Sequence, residues 1–315
     1  MVKLLLHYRA SAGFRAMLEE AAPTGIELVV VGEADTELLA RELPDTDVLL
    51  HVLEPVTAAM IASGPRLKLI QKIGVGVNTI DLDTADAAGI AVANMPGTNS
   101  RAVAEMALTL MLAVLRRVTY LDPLTRSGRG WEPDLALMDG VGEIAGRTIG
   151  LVGFGAVPRL LAPILDAMGA DILFTARSPQ KSEHASQVDL DTLLERSDIV
   201  SLHVPLTDET TQMIDGGAIE KMKPGAIIIN TARGPLIDEE ALVNALESGR
   251  LRGAGLDVFG EEPVDPQHRM LALPNIVVMP HMAWLTPETL RRSLVMAFEN
   301  SRRIAAGEEL LHRVG

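Results

Sequence analysis

The chain has 315 residues, of which 48% are hydrophobic and 22% charged, with a formal net charge of −14 and no cysteine. That length suits two α/β domains better than one small core, and the aliphatic content excludes a disordered chain. The acidic balance argues against nucleic acid or an anionic membrane as partner, and the missing thiols exclude disulfides, thiolate metal sites and a cysteine nucleophile, as suits a cytoplasmic protein.

The N-terminal stretch MVKLLLHYRASAG breaks its apolar run at His7 and Arg9 and does not read as a secretory signal. KLLLHY, ELVVV, DVLLHV, KLIQKI and GIAVAN then alternate with amphipathic segments such as TELLARELP and DTADAAG, the pattern of βαβ units around a parallel sheet. A helix is expected from an N-cap at Asn99 or Ser100 to about Arg117. Between Met106 and Leu115 it is apolar on nearly every side, which predicts that both faces are covered, and Glu105 and Thr109 keep it short of a membrane span. From Leu121 to Gly146 proline, glycine and charge dissolve the pattern, predicting an unusually long loop. A second alternating series follows in TIGLVGFG, DILFTAR, DIVSLHV, AIIIN, AGLDV and NIVVM, before a last helix from Pro287 to Ala306 that should dock back on the body of the protein.

TIGLVGFGAVPRLLAPILDAMGADILFTARS reads as strand, glycine turn, helix and strand. In such a unit Gly153 permits the tight turn and Gly155 lets a pyrophosphate approach the helix N-terminus, with Phe154, Ala156 and Val157 completing the cradle. Pro158 replaces the third glycine, as a first helical turn tolerates. The second strand ends in Ala176-Arg177-Ser178 with no acid before Glu183, so nothing there repels a ribose 2′-phosphate, and Arg177 and Ser178 can meet it. NADP is therefore the preferred cofactor, with NAD as the second choice.

Three polar residues follow the ends of later strands, where ligands collect in open α/β sheets: Arg233 after AIIIN, Glu262 beyond AGLDV and His281 after NIVVM. Singly they read as a surface arginine, an acid in a charged loop and a satisfied histidine. Together they provide what carbonyl reduction requires: a cation for a carboxylate, a proton donor titrating near neutrality, and an acid to orient that donor.

With those residues in view, the chain resembles the D-isomer-specific 2-hydroxyacid dehydrogenases over essentially its whole length, through KIGVGVNTID, GLVGFG, LHVPLT, INTARGPLIDEEAL, GLDVFGEEP and PHMAW. The resemblance implies two doubly wound parallel-sheet domains: a flavodoxin-like substrate domain, residues 1–98 with 286–315, around an inserted Rossmann cofactor domain, residues 99–285, with the active site in the cleft between them. It further implies that Arg233 binds the substrate carboxylate and that His281 protonates the keto oxygen. Glu262 would favour the charged form of His281, so reduction should fall as pH rises. Asp257 would contact the nicotinamide carboxamide, unless it is a strand-end cap, and Val204, Pro205, Thr210, Thr231 and Ala232 would contact the cofactor. The Val75 and Gly76 amides would hold the substrate carboxylate, with Leu53 facing its side chain.

Within the family, Trp284, Trp131 and the arginine at the cofactor position are most similar to glyoxylate and hydroxypyruvate reductases. Trp131 would reach the site of a second copy in a homodimer, or simply pack the interface. LHVLEP lacks the small polar or basic residue expected for a phosphorylated substrate, and the chain end leaves no room for the regulatory domain of many phosphoglycerate dehydrogenases. The alternatives are a phosphite-type dehydrogenase, which shares the triad, and a non-catalytic dinucleotide sensor of the corepressor type. Formate dehydrogenases commonly carry glutamine where Glu262 stands.

Overall fold

The computed structural model describes residues 1–314 and is α/β, with two compact units and two sheets that are parallel except at one edge. The first unit, Met1–Asn99 and Leu285 onward, begins with β1 (Val2–His7), α1 (Ala12–Ala21), β2 (Ile26–Val31), α2 (Thr36–Glu42), β3 (Val48–His51), α3 (Ala58–Ala62), β4 (Leu69–Lys72), α4 (Leu82–Ala87) and β5 (Ala91–Ala93). Its strands lie in the order β2-β1-β3-β4-β5, that of flavodoxin-like sheets. Leu4 to Leu6, Val48 to Leu50, Leu69 and Ile70 are buried, which is why these strands are continuous apolar runs rather than alternating ones. Ser11, Asp35, Thr57 and Asp81 start the four helices, each side chain accepting an amide three residues on.

The second unit, Ser100–Trp284, holds α5 (Ser100–Leu115), α6 (Val118–Arg126), α7 (Leu135–Met138), β6 (Thr148–Val152), α8 (Ala156–Ala167), β7 (Asp171–Thr175), β8 (Ser186–Gln187), α9 (Leu190–Arg196), β9 (Ile199–Leu202), α10 (Gly216–Lys221), β10 (Ala226–Asn230), α11 (Glu239–Glu247), β11 (Leu251–Leu256) and β12 (Ile276–Val278). Its order is β8-β7-β6-β9-β10-β11-β12. Direction along the sheet reverses between β6 and β9, the kind of switch point at which open sheets bind ligands. The chain then rejoins the first unit as α12 (Pro287–Ala306), packed on α1, β1 and β4, and β13 (Arg313–Val314), antiparallel to β5. Among the described residues no helix is long and apolar enough to cross a membrane.

Two expectations need correction. The stretch from 121 to 146 is not one loop, because α6 runs to Arg126 and α7 follows. Pro123 lies on the exposed side of α6, while Tyr120, Leu121 and Leu124 form a half-buried stripe and Asp122 pairs with Arg126 at 2.9 Å. Nor is α5 covered all round. Arg101, Glu105 and Thr109, spaced four apart, line an exposed stripe, and the opposite side packs on α8, β10, β11 and β12.

In the first unit His7, His51 and Lys72 sit side by side at the C-terminal ends of β1, β3 and β4, and all three are buried. The His51 Nε2–H donates to the Glu54 carbonyl at 2.7 Å, and the Lys72 ammonium donates to the Val52 carbonyl. The two side chains thereby hold the turn that carries Leu53. Burial, reinforced by the Lys72 charge, pushes the His51 imidazole from 6.5 down to about 3. Between those values the unfolded chain binds a proton that the folded one does not. The stabilisation is therefore intact above pH 6.5 and is lost as pH falls toward 3. Denaturant titrations at falling pH should show a stability slope of up to about 1.4 kcal/mol per pH unit from this group. His51→Gln should flatten that slope, and an unchanged slope would assign the effect elsewhere.

Candidate active site

Because β10, β11 and β12 are adjacent and parallel, the residues that follow their C-terminal ends share one edge of the sheet. After β10, fully buried Asn230 accepts the Ala232 N–H at 3.0 Å and donates to the Arg233 carbonyl at 2.8 Å, fixing the loop on both sides. Arg233 is half-buried, and its Nη1 donates to the Ala232 carbonyl at 2.6 Å. Burial draws this guanidinium below its ordinary pKa, and the negative charge of Glu262 offsets part of that.

After β11, Asp257 is 1% exposed and is spent on the next strand's loop. Its carbonyl accepts the His281 N–H at 2.7 Å, while its carboxylate accepts the Met282 N–H at 2.7 Å and the Ala283 N–H at 2.9 Å. Burial raises this carboxyl, and the two amides oppose the rise. These bonds hold His281 in the left-handed region, at φ 54°, and the buried Trp284 adds an indole N–H to the His281 carbonyl at 3.1 Å. Asp257 therefore pins the histidine turn, whatever else it touches.

The His281 imidazole Nδ1–H donates to Glu262 Oε2 at 2.6 Å, and Glu262 Oε1 accepts the Phe259 N–H at 2.9 Å. Burial alone would raise the Glu262 carboxyl. The bond and charge of His281, the Phe259 amide and the Arg233 charge outweigh it and hold the group below the usual carboxylate range. With Nδ1 engaged, Nε2 is the imidazole nitrogen left for proton transfer. Arg233, Glu262 and His281 are thus brought into one electrostatically coupled group.

Two further residues, which sequence reasoning did not single out, tie these loops together. Gly234, directly after Arg233, lies flat on the Phe259–Gly260 backbone, where any Cβ would overlap the Phe259 carbonyl. Glu239, in the first turn of α11, accepts the Gly260 N–H at 2.9 Å. Only the tertiary fold reveals either contact.

On the same edge, β6, β7 and β9 carry the residues expected to meet a dinucleotide. Gly153 has φ +94°, a Cβ there would meet the His203 carbonyl at 2.9 Å, and its N–H donates to Thr175 Oγ1 at 3.0 Å. Gly155 caps α8 with open space above it and no side-chain cap, so the amides at Ala156 and Val157 begin the helix uncapped by side chains. Thr231 Oγ1 is buried without a partner. An open glycine cradle, an uncapped helix start and an orphaned hydroxyl at the switch-point edge fit a dinucleotide.

The Phe154 ring is buried and stacked on Phe174 at 3.8 Å, leaving only its backbone for a ligand. Pro158 is buried within the first turn of α8. Arg177 and Ser178 are exposed beyond β7. Arg159 joins them, its guanidinium 5.0 Å over the Phe154 ring and bonded to Gln180. Val204 touches the Gly153 position, Pro205 is exposed, and Thr210 uses its hydroxyl on the Pro205 carbonyl at 2.8 Å.

The remaining substrate candidates belong to other segments of the chain. Leu53, Val75 and Gly76 belong to the first unit, in the loops after β3 and β4, where Val75 is exposed and its carbonyl accepts Asn94 Nδ2 at 2.9 Å. Trp131 lies between α6 and α7 and is 91% exposed.

Comparison with known proteins gives a consistent result. Residues 108–283 match the family described as D-isomer specific 2-hydroxyacid dehydrogenase, NAD binding domain. A glyoxylate reductase of Thermofilum pendens is 40% identical over 281 residues, which cover 86% of this chain and 82% of that one. A hydroxypyruvate reductase of Thermotoga maritima is 41% identical over 271 residues, covering 84% and 87%. The crystal structure of D-lactate dehydrogenase with NAD+ from Lactobacillus jensenii matches at a TM-score of 0.81 and 30% identity, over 100% of both chains.

The contact at Gly234 has a direct test. Gly234→Ala must push the Arg233 and Phe259–Glu262 loops apart, an overpacking cost of about 1–3 kcal/mol. A lowered Tm together with a fall in kcat is expected, and a variant with wild-type turnover would show that the loops need not interlock.

Proposed function

The chain belongs to the D-isomer specific 2-hydroxyacid dehydrogenase family, an oxidoreductase family acting on CH–OH groups with a nicotinamide dinucleotide, and on that premise we propose that it reduces a small 2-keto acid of the glyoxylate or hydroxypyruvate type to the D-2-hydroxy acid. The observation that carries this reading is the 2.6 Å pair of His281 and Glu262 on the sheet edge that also bears Arg233.

Arg233 takes the substrate carboxylate in a forked pair of charge-assisted bonds, helped by a burial that has already stripped much of its water. The nicotinamide, when bound, supplies the hydride to C2. His281 gives its Nε2 proton to the keto oxygen, so one hydride and one proton convert C=O to CH–OH. Glu262 stabilises the imidazolium that must be present before transfer and keeps Nδ1 protonated throughout. Asp257 keeps the histidine turn in place and, in this reading, also meets the carboxamide. Residues 1–98 with 286–315 serve as the substrate-binding domain, with Leu53 and the Val75 and Gly76 amides as its contacts, and residues 99–285 bind the dinucleotide.

Gly153, Gly155, Ala156 and Val157 take the pyrophosphate, and Thr231 and its neighbours contact the rest of the cofactor. NADP is preferred because no acid follows β7 to bind the ribose hydroxyls, while Arg177 and Ser178, with Arg159 bonded to nearby Gln180, offer donors to a 2′-phosphate. Trp131, Leu135 and Val118, all exposed, suit a face covered by a second copy in a homodimer, and in this reading Trp131 lies near the partner's substrate. Trp284 packs behind His281 and bounds the substrate side.

A spectrophotometric panel of glyoxylate, hydroxypyruvate, pyruvate and phenylpyruvate with NADPH and with NADH tests the proposal. Turnover should be greatest on glyoxylate and hydroxypyruvate with NADPH. Arg177→Ala should lower kcat/KM with NADPH by at least about tenfold, the worth of one charge-assisted bond, and leave NADH nearly unaffected. Tight cofactor binding without turnover on any keto acid would instead make the protein a dinucleotide sensor.

A further inference from the structure

At the opposite edge of the second unit's sheet lies a cavity of about 610 Å³ bounded by Arg117, Arg252 and the backbone at Gly140, Gly225 and Gly249. We propose that it is a second anion site, which takes a phosphate group on the Arg117 and Arg252 guanidiniums. None of its residues belongs to the dinucleotide or triad side. Arg252 and Asp257 are separated by most of the length of β11, roughly 16 Å.

Three observations converge on these two arginines. Arg117 joins α5 to α6 at φ 53°, ψ 34°, a left-handed conformation that bulky residues rarely adopt and that a folded chain keeps only where something holds it. Its Nε is enclosed without any acceptor. Arg252 sits where the parallel pairing of β10 and β11 slips: Ala226 pairs with Leu251 and Ile227 with Gly253, which leaves Arg252 with no counterpart. Bulges of this kind re-aim a side chain, and parallel sheets seldom contain them.

The two guanidiniums also lack direct pairing. Among the described residues neither guanidinium makes an ion pair, although the chain carries a net charge of −14; the one bond of Arg252 is to the Gly140 carbonyl at 3.3 Å. Asp139 and Glu247 also line the cavity; Glu247 pairs with Arg269 at 3.2 Å, and Asp139, which is exposed, makes no ion pair with either arginine among the described residues. Burial, followed by the Arg252 charge, lowers the Arg117 pKa. A desolvated donor without an acceptor, beside a second guanidinium that no carboxylate pairs with, costs the unliganded fold stability. An oxyanion with several acceptor oxygens satisfies both guanidiniums at once.

Calorimetric titration of inorganic phosphate into the protein saturated with NADPH, at constant ionic strength against chloride, tests the site with the α8 N-terminus already filled. One phosphate per chain should bind saturably. Arg117→Met and Arg252→Met should each weaken it by at least about tenfold while leaving turnover unchanged. Each should also raise Tm in phosphate-free buffer, an inversion that a merely structural arginine would not produce. If either methionine variant fails to fold, Arg117→Lys and Arg252→Lys keep the charge and remove the fork, and should weaken binding without unfolding the chain. Glycerol phosphate as a second titrant separates the sources: tighter binding than phosphate indicates a phosphorylated metabolite, weaker binding the free ion. Absence of saturable binding to the wild type, or wild-type affinity in the variants of both positions, would overturn the proposal.

Discussion

The histidine turn hangs on one buried carboxylate. Asp257, removed from water at the end of β11, satisfies its two oxygens with the Met282 and Ala283 amides and its carbonyl with the His281 amide. A left-handed non-glycine residue such as His281 costs on the order of 1–2 kcal/mol, and these three bonds, with the Trp284 indole, offset it. Because the backbone on both sides of the imidazole is over-determined, the ring meets Glu262 without having to search for it.

The same economy of fixed backbone recurs around the site. Asn230 brackets the Arg233 loop, Glu262 holds the Phe259 amide while it holds the histidine, and Glu239 holds the next amide at Gly260. Gly234 lets two of these loops lie in contact. The side chains that would carry the chemistry are therefore borne on loops that behave mechanically like parts of the sheet, and this preorganisation keeps the cost of aligning them out of the reaction itself.

Much of this could be read from residue order alone, and the reasons are local. Continuous aliphatic runs revealed buried parallel strands, the Gly153–Gly155 turn revealed the helix start beneath it, and the strand-end rule brought Arg233, Glu262 and His281 forward as a group. What escaped depends on partners distant in sequence. The two amides that occupy Asp257 lie more than twenty residues beyond it, the Phe154 ring turns inward because Phe174 waits on the next strand, and nothing in the bare sequence announces that Gly234 meets Phe259 or that Arg252 falls in a register slip. The helix through Pro123 escaped for a different reason: a half-buried stripe outweighed a local breaker.

The acidic average of the chain conceals this local arrangement, because Arg159, Arg177, Arg233 and His281 all stand along the C-terminal edge of one sheet. A surface that repels anions in general can still admit them where cations are gathered. The central claim, that Glu262 orients the His281 imidazole for proton transfer by holding its Nδ1, is tested most directly by kcat for keto-acid reduction and cofactor Kd in the wild type and in Glu262→Ala. Loss of that one charge-assisted bond is expected to lower kcat by at least about tenfold with cofactor binding little changed. Wild-type kcat in the variant would contradict it.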